Sequence, residues 1–239
     1  MDLSPARRPQ DAQTVRRLRL GIGIVGVVLP VVLVAGHSLV SGRFALLSSL
    51  SAYYYTELRD VFVGSLCAIG VFLISYRHRR LDDLLSTIAG GLAIAVALFP
   101  AATHQPGSPI TSTDVLVGRV HQVAAATLFV ILAIFCIVLF PRRDPREVHG
   151  RVRRGLYYAC GGLILAAIAV AVASNALPDP TRDALRPLFW CEVVAVLAFG
   201  VAWFAKGEAL FGPAPQTTGP APDGGTPVTG GRSPSPAAS

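Results

Sequence analysis

Apolar residues gather along this chain into six blocks, at about residues 20–40, 60–76, 81–99, 119–140, 155–176 and 187–205, each with little charge inside it. A bilayer core about 30 Å thick takes roughly 17 to 25 helical residues to cross. Every block has that length, the second and third being the shortest and expected to stand nearly upright. Backbone polar groups in lipid must be satisfied within their own segment, which helices achieve and isolated strands do not. The pattern therefore predicts an all-α fold: a polytopic membrane bundle of six transmembrane helices. The first block follows a basic arm as a signal peptide would. It lacks a small-residue cleavage site before Arg43 and reads as a retained signal-anchor helix.

Charge sets the expected orientation. Basic residues are retained on the cytoplasmic side, and they alternate here from connection to connection. The N-terminal arm carries Arg7, Arg8, Arg16, Arg17 and Arg19; the second-to-third connection Arg77, Arg79 and Arg80; the fourth-to-fifth Arg142, Arg143, Arg146, Arg151, Arg153 and Arg154. The other connections hold only Arg43, Arg59, Arg182 and Arg186, with none between Ala101 and Gly118. Six spans with both termini cytoplasmic fit this alternation. The net charge of +7 is accordingly a topology signal and a contact with anionic lipid, not a nucleic-acid footprint. Twenty arginines against one lysine, with abundant Ala, Gly and Pro, suggest a GC-rich bacterial genome and hence a bacterial cytoplasmic membrane. The organisation expected is a basic cytoplasmic arm at 1–18, a transmembrane domain at 19–206 and a tail at 207–239. That tail is rich in Pro, Gly, Ser and Ala and expected to be disordered.

Small residues in the spans read as packing surfaces. Gly21, Gly23 and Gly26 spell GxGxxG, but the dinucleotide fingerprint needs a βαβ unit around it. Within a span the same glycines serve close helix approach, as expected also for Gly90 and Gly91 and for the pair Gly162 and Ala166. Cys67, Cys136, Cys160 and Cys191 all fall within spans and read as small apolar residues. No internal repeat marks a transporter built from two related halves.

The informative residues are those a bilayer makes expensive. A charged side chain in a span costs at least a few kcal/mol unless paired, hydrated or turned inward. Asp60 opens the second span, Arg119 and His121 open the fourth, and Glu192 lies just over a turn into the sixth. His37 and His104 are expected at similar depth. All map to the outer leaflet. Residues three, four and seven apart share a helix face: Asp60 with Gly64 and Cys67, His121 with Gly118 and Ala125, Glu192 with Ala195, Val196 and Phe199. Small neighbours favour the packed interior, so these groups are expected to converge in an outward-facing pocket between the second, fourth and sixth helices. Over it lies a loop with Ser51 and the run Tyr53, Tyr54 and Tyr55. The tyrosines read either as an interfacial belt or as hydroxyls reaching into the pocket. Arg59 beside Asp60 reads as a rim pair.

The segment from Ser51 through Tyr53, Tyr54, Thr56, Arg59, Asp60, Val61, Phe62, Val63 and Gly64 to Cys67, Ala68, Ile69 and Gly70 resembles the signature of an uncharacterised family of small bacterial six-span integral membrane proteins. Ala97 to Pro100, His121, and Glu192 with Ala198, Phe199, Gly200, Trp203, Lys206, Gly207 and Glu208 are similar too. The resemblance implies six spans and a shared outer-leaflet site, without an activity. A second likeness is to the membrane hydrolases that include the alkaline ceramidases and adiponectin-receptor type proteins, which use Ser, Asp and three His around zinc. Ser51, Asp60, His37, His104 and His121 supply those residue types. That superfamily has seven spans and a HxxxH pair in its last helix, and this chain has neither.

Three functions follow as expectations. The preferred one is binding of a lipid headgroup or small polar ligand by Ser51, Tyr54, Asp60, Arg119, His121 and Glu192, with membrane lipid as partner and no cofactor. The alternative is a zinc-dependent amidase or esterase acting on lipid, with zinc on His37, His104, His121 and Asp60. The third is a proton-coupled carrier using Glu192 and His121. Against all three stands a structural role, a polar network that pins helix register.

Overall fold

The computed structural model describes residues 9–76, 80–101, 111–142 and 150–207. His104, the start of the basic arm and the tail beyond Gly207 lie outside the described residues. Every regular element among those described is helical. The helices are α1 (Pro9–Ser41), α2 (Arg59–Ser75), α3 (Arg80–Leu98), α4 (Ser112–Ile134), α5 (Gly150–Ala173), α6 (Asp179–Leu185) and α7 (Pro187–Lys206). Five of them, α1, α3, α4, α5 and α7, are long and apolar enough to cross a membrane. The other long helix, α2, has 17 residues and is about 26 Å long at 1.5 Å per residue.

Local chemistry explains where the elements depart from the apolar blocks. Helix α4 begins at Ser112 instead of near Arg119, because Thr111 and Asp114 form a reciprocal capping box. That box satisfies two of the first orphan N–H groups of the helix. Beyond α4 the chain makes one π-helical turn at Phe135–Leu139, in which Phe140 N–H reaches Phe135 O at 2.9 Å. The wider turn puts Phe135 and Phe140 side by side, ring centroids 5.7 Å apart. The short helix α6 was not foreseen. It ends at Arg186, whose φ of 47° is left-handed, and the chain restarts at once as α7 with Pro187 in its first turn, where a missing N–H costs nothing.

Six helices form a closed ring. Each packs on its neighbour in the order α1, α2, α3, α4, α5, α7, and α7 returns to α1. Close crossings hold it. A Cβ on Gly23 would lie 3.1 Å from Gly200 O, and one on Gly200 3.0 Å from Val27 N, so α1 and α7 touch backbone to backbone. The GxGxxG is therefore a packing surface, as expected. Helices α2 and α3 meet in the same way at Gly70 and Gly90, where a Cβ on Gly90 would sit 2.5 Å from Gly70 O. The expectation fails for Gly91 and Gly162, which meet nothing within 4 Å. Gly161, one residue earlier, is the close contact of α5 with Ile137 and Cys136.

The chain passes back and forth, so the ring has two distinct ends. One gathers the first turns of α1, Tyr76, Arg142, Arg153 and Lys206, and is called here the arginine end. There Trp203, fully buried, sits among Tyr76, Phe135, Phe140 and Phe199 with centroids 5.2 to 5.9 Å away. The last carbonyls of α7 receive cations: Arg16 Nε donates to Gly207 O at 3.3 Å, Arg19 Nη1 to Lys206 O at 3.2 Å and Arg153 Nη2 to Ala205 O at 2.8 Å. Lys206 Nζ in turn donates to Phe140 O at 3.2 Å. These bonds satisfy orphan carbonyls and oppose the negative end of the helix dipole. The buried Asp82 pairs with Arg142 at 2.9 Å. The opposite, tyrosine end holds the 3-10 turn Ser51–Tyr55, the last turn of α3 and the starts of α2, α4 and α7.

Candidate functional site: a chambered ring with a buried carboxylate

A cavity of about 70 Å³ lies inside the ring toward the tyrosine end. Its wall is almost wholly apolar and comes from α1, α2, α3, α4 and α7. One stripe of α2, made of Phe62, Leu66, Ile69 and Leu73, supplies much of it, and Leu128, Phe129 and Leu132 of α4 continue it. The spacing of those residues is that of one helix face. From His121 to Leu132 the wall runs roughly 16 Å along α4 at 1.5 Å per residue. Three polar side chains break the apolar lining: Ser51, His121 and Glu192.

Glu192 is half-buried, projecting from α7 under the 3-10 turn. Its Oε2 accepts Leu50 N–H at 2.5 Å and its Oε1 accepts the Ser51 hydroxyl at 3.1 Å. Leu50 is the residue just before the turn, so the carboxylate satisfies an N–H at the turn's entry. Ser49 Oγ secures the same turn by accepting Ala52 N–H at 3.0 Å. His121, 4% exposed, makes a 2.7 Å contact from Nδ1 to Phe99 O. A carbonyl oxygen only accepts, so Nδ1 carries the proton and Nε2 is left as an acceptor. The partner carbonyl follows the end of α3 and would otherwise be an orphan.

The six residues expected to meet do not all do so. Ser51, His121 and Glu192 share the cavity, but Asp60 and Arg119 are exposed on the outside of the ring. The expectation of a common pocket is corrected for these two. On α2 the inward face belongs to Phe62, Leu66, Ile69 and Leu73, which turns Asp60 outward with Gly64, a residue with nothing within 4 Å. Arg119 shares the outer surface with Val120 and Val123. Tyr54 stands on the rim, where Arg59 lies 4.4 Å over its ring and donates to its hydroxyl at 2.6 Å. The tyrosine run is not a uniform belt: Tyr53 is fully buried, Tyr54 half-buried, and the exposed Tyr55 donates to Ala101 O at 2.8 Å.

The alternative zinc set is likewise dispersed. His37 Nδ1 pairs with Glu57 Oε2 at 3.3 Å and its ring stands edge-on to Tyr53. Asp60 faces outward, His121 lines the cavity, and His104 is outside the described residues. Among the described residues no three His, Cys, Asp or Glu side chains gather as a metal site would require. Sequence reasoning missed the apolar wall. Its signal was present in the spacing of Phe62, Leu66, Ile69 and Leu73, large residues on one face of a helix judged only by its small ones.

Comparison with family models, with curated proteins and with solved structures gave no match for this chain.

Proposed function

We propose that this is a membrane-embedded binding protein whose ring of helices takes up an amphiphile. The apolar part of the ligand lies along the wall from Leu128 to Leu132, and its polar end faces Ser51, His121 and Glu192. One observation carries the reading: an apolar chamber inside the ring contains three polar side chains. Ligand sites have this character, a mostly apolar lining with a few placed polar groups, and an ionisable residue inside a membrane bundle is by default a functional candidate. Lining residues that follow one another over roughly 16 Å of α4 suit an extended chain better than a compact polar solute.

Helix α2 serves in this reading as the sixth span. It stands in the ring between α1 and α3, and its length falls only a few ångströms short of the bilayer core. With the arginine end cytoplasmic, the chamber lies in the outer half of a bacterial cytoplasmic membrane and both termini are inside. Residues from each segment that resembles the six-span family after the third span, and from the signature around 51–70, line the chamber: Ser51, Phe62, Ile69, His121, Glu192 and Phe199. This supports reading that family's members as sharing it.

Mass spectrometry of the protein released from native membranes tests the proposal. The wild-type chain is expected to retain about one amphiphile per ring, and Ala125→Leu, which fills the chamber wall, to release it. A folded wild-type protein that carries no more lipid than the variant would refute the reading.

A further inference from the structure

The amphiphile reading leaves the ligand's head open, and the charge balance of the chamber narrows it. The polar atoms offered to the chamber are acceptors. The Ser51 hydroxyl lies within donating distance of Glu192 Oε1 at 3.1 Å and of Ser49 Oγ at 3.3 Å; with its proton on the nearer carboxylate it keeps its lone pairs. The Nδ1 proton of His121 is given to Phe99, which leaves Nε2. The Glu192 oxygens each take at least one protein donor and retain further lone pairs.

Glu192 also lacks a counter-charge. Its partners, the backbone N–H groups of Leu50 and Ser51 and the Ser51 hydroxyl, are dipoles, and among the described residues it makes no ion pair. The nearby cations are engaged or turned away: Arg59 lies on Tyr54, Arg119 is exposed, and Arg186 forms no ion pair with the carboxylate. His121 shares the chamber but lies beyond ion-pair reach. Among the described residues no lysine or arginine lines the chamber. An anionic head, phosphate or carboxylate, would meet acceptors and a like charge, whereas a carboxylate withdrawn from water is relieved by a proton or by a cation, and a cationic head supplies the latter.

We infer that the ligand is a single-chain amphiphile with a primary ammonium head, which supplies the missing charge to Glu192. An ammonium has three donors. One serves Glu192, and two are left for Ser51 Oγ and His121 Nε2.

Equilibrium binding of radiolabelled dodecylamine, dodecanol and dodecanoate to the full chain in phosphatidylcholine nanodiscs, with empty nanodiscs subtracted, tests this. Dodecylamine is expected to bind saturably, about one per chain, and at least about tenfold tighter than dodecanoate. Glu192→Gln is expected to weaken the amine roughly 30-fold or more, since it removes one partner of a buried charge pair. The same variant is expected to weaken dodecanol less than the amine, and an unchanged helical circular dichroism spectrum reports that it is folded. Dodecanoate binding as tightly as dodecylamine, or amine binding that ignores Glu192→Gln, would overturn the ammonium head while the chamber stood. If none of the three binds above empty nanodiscs, both the chamber reading and the inference built on it fail.

Discussion

The two ends of the ring handle buried polarity in opposite ways. At the arginine end, Arg19, Arg153 and Lys206 are drawn into the protein, and each is used on a backbone carbonyl around an aromatic cluster filled by Trp203. At the tyrosine end, the half-buried Glu192 holds the 3-10 turn and borders the chamber without a counter-charge among the described residues. Both ends have polar groups that a bilayer penalises. What separates them is charge. Cations on a helix C-terminus meet the partial negative charge gathered there, whereas the carboxylate facing the apolar chamber meets protein dipoles alone among the described residues.

The sharpest break of this contrast is truncation. Trp203→Ala removes the ring that Tyr76, Phe135, Phe140 and Phe199 all touch, and should cost about 3–5 kcal/mol. The indole Nε1 has no hydrogen-bond partner, so the loss is one of packing, and Trp203→Phe should recover a good part of it. Leu132→Ala, on the chamber wall, should cost about 2 kcal/mol, the low end for such a change, because a void already adjoins it. Denaturation in detergent micelles measures both. Equal losses at the two sites would mean that the chamber is closed in solution.

A second test looks for opposite signs. Enlarging the fully buried Ala202 of α7 to Leu overpacks the arginine end and should cost about 1–3 kcal/mol. Ala125→Leu makes the same chemical change on the chamber wall and should instead stabilise the empty protein by about 0.5–2 kcal/mol. Unfolding midpoints of the two variants, each stripped of bound lipid, decide the matter. Two destabilised proteins would erase the difference between the ends.

Much of this architecture was legible in the sequence, because apolar blocks of bilayer length and glycines within them carry direct physical meaning. The α1–α7 crossing at Gly23 and Gly200 is of this kind. So is the inward placement of His121 and Glu192, whose small or aromatic neighbours sit at helical spacing. Asp60 shows where the method ran out. Small neighbours at Gly64 and Cys67 suggested an inward face, yet the larger residues Phe62, Leu66, Ile69 and Leu73 won the interior, since the chamber needed a wall. Short-range devices were also hidden: the Thr111 and Asp114 box lengthens α4 beyond its apolar block, and α6 is a single, largely exposed element of seven residues in a loop that hydropathy passes over. Of the partners of Glu192, Ser51 was among the residues expected at the pocket, whereas the Leu50 N–H, 142 residues away along the chain, has no side-chain signal to betray it.

The smallest effect concerns the rim of the tyrosine end and depends on pH. The carboxylate of Glu57 is hydrogen-bonded by its own backbone N–H and by the His37 ring, which hold its pKa below the ordinary glutamate value. A depressed carboxylate pKa means that the folded state favours the ionised form. Its contribution to stability is therefore complete above the unfolded-state value of about 4.3 and fades as the pH falls through the lower folded value. Wild-type protein should exceed Glu57→Gln in unfolding midpoint by a small margin near neutral pH, and the margin should close on acidification through that window. A margin that is constant from neutral to acid pH would show that Glu57 acts by packing and not by charge. The chamber supplies the control: Ala125→Leu leaves this pair untouched, so its own shift in midpoint should add to that of Glu57→Gln, as expected for sites without shared partners.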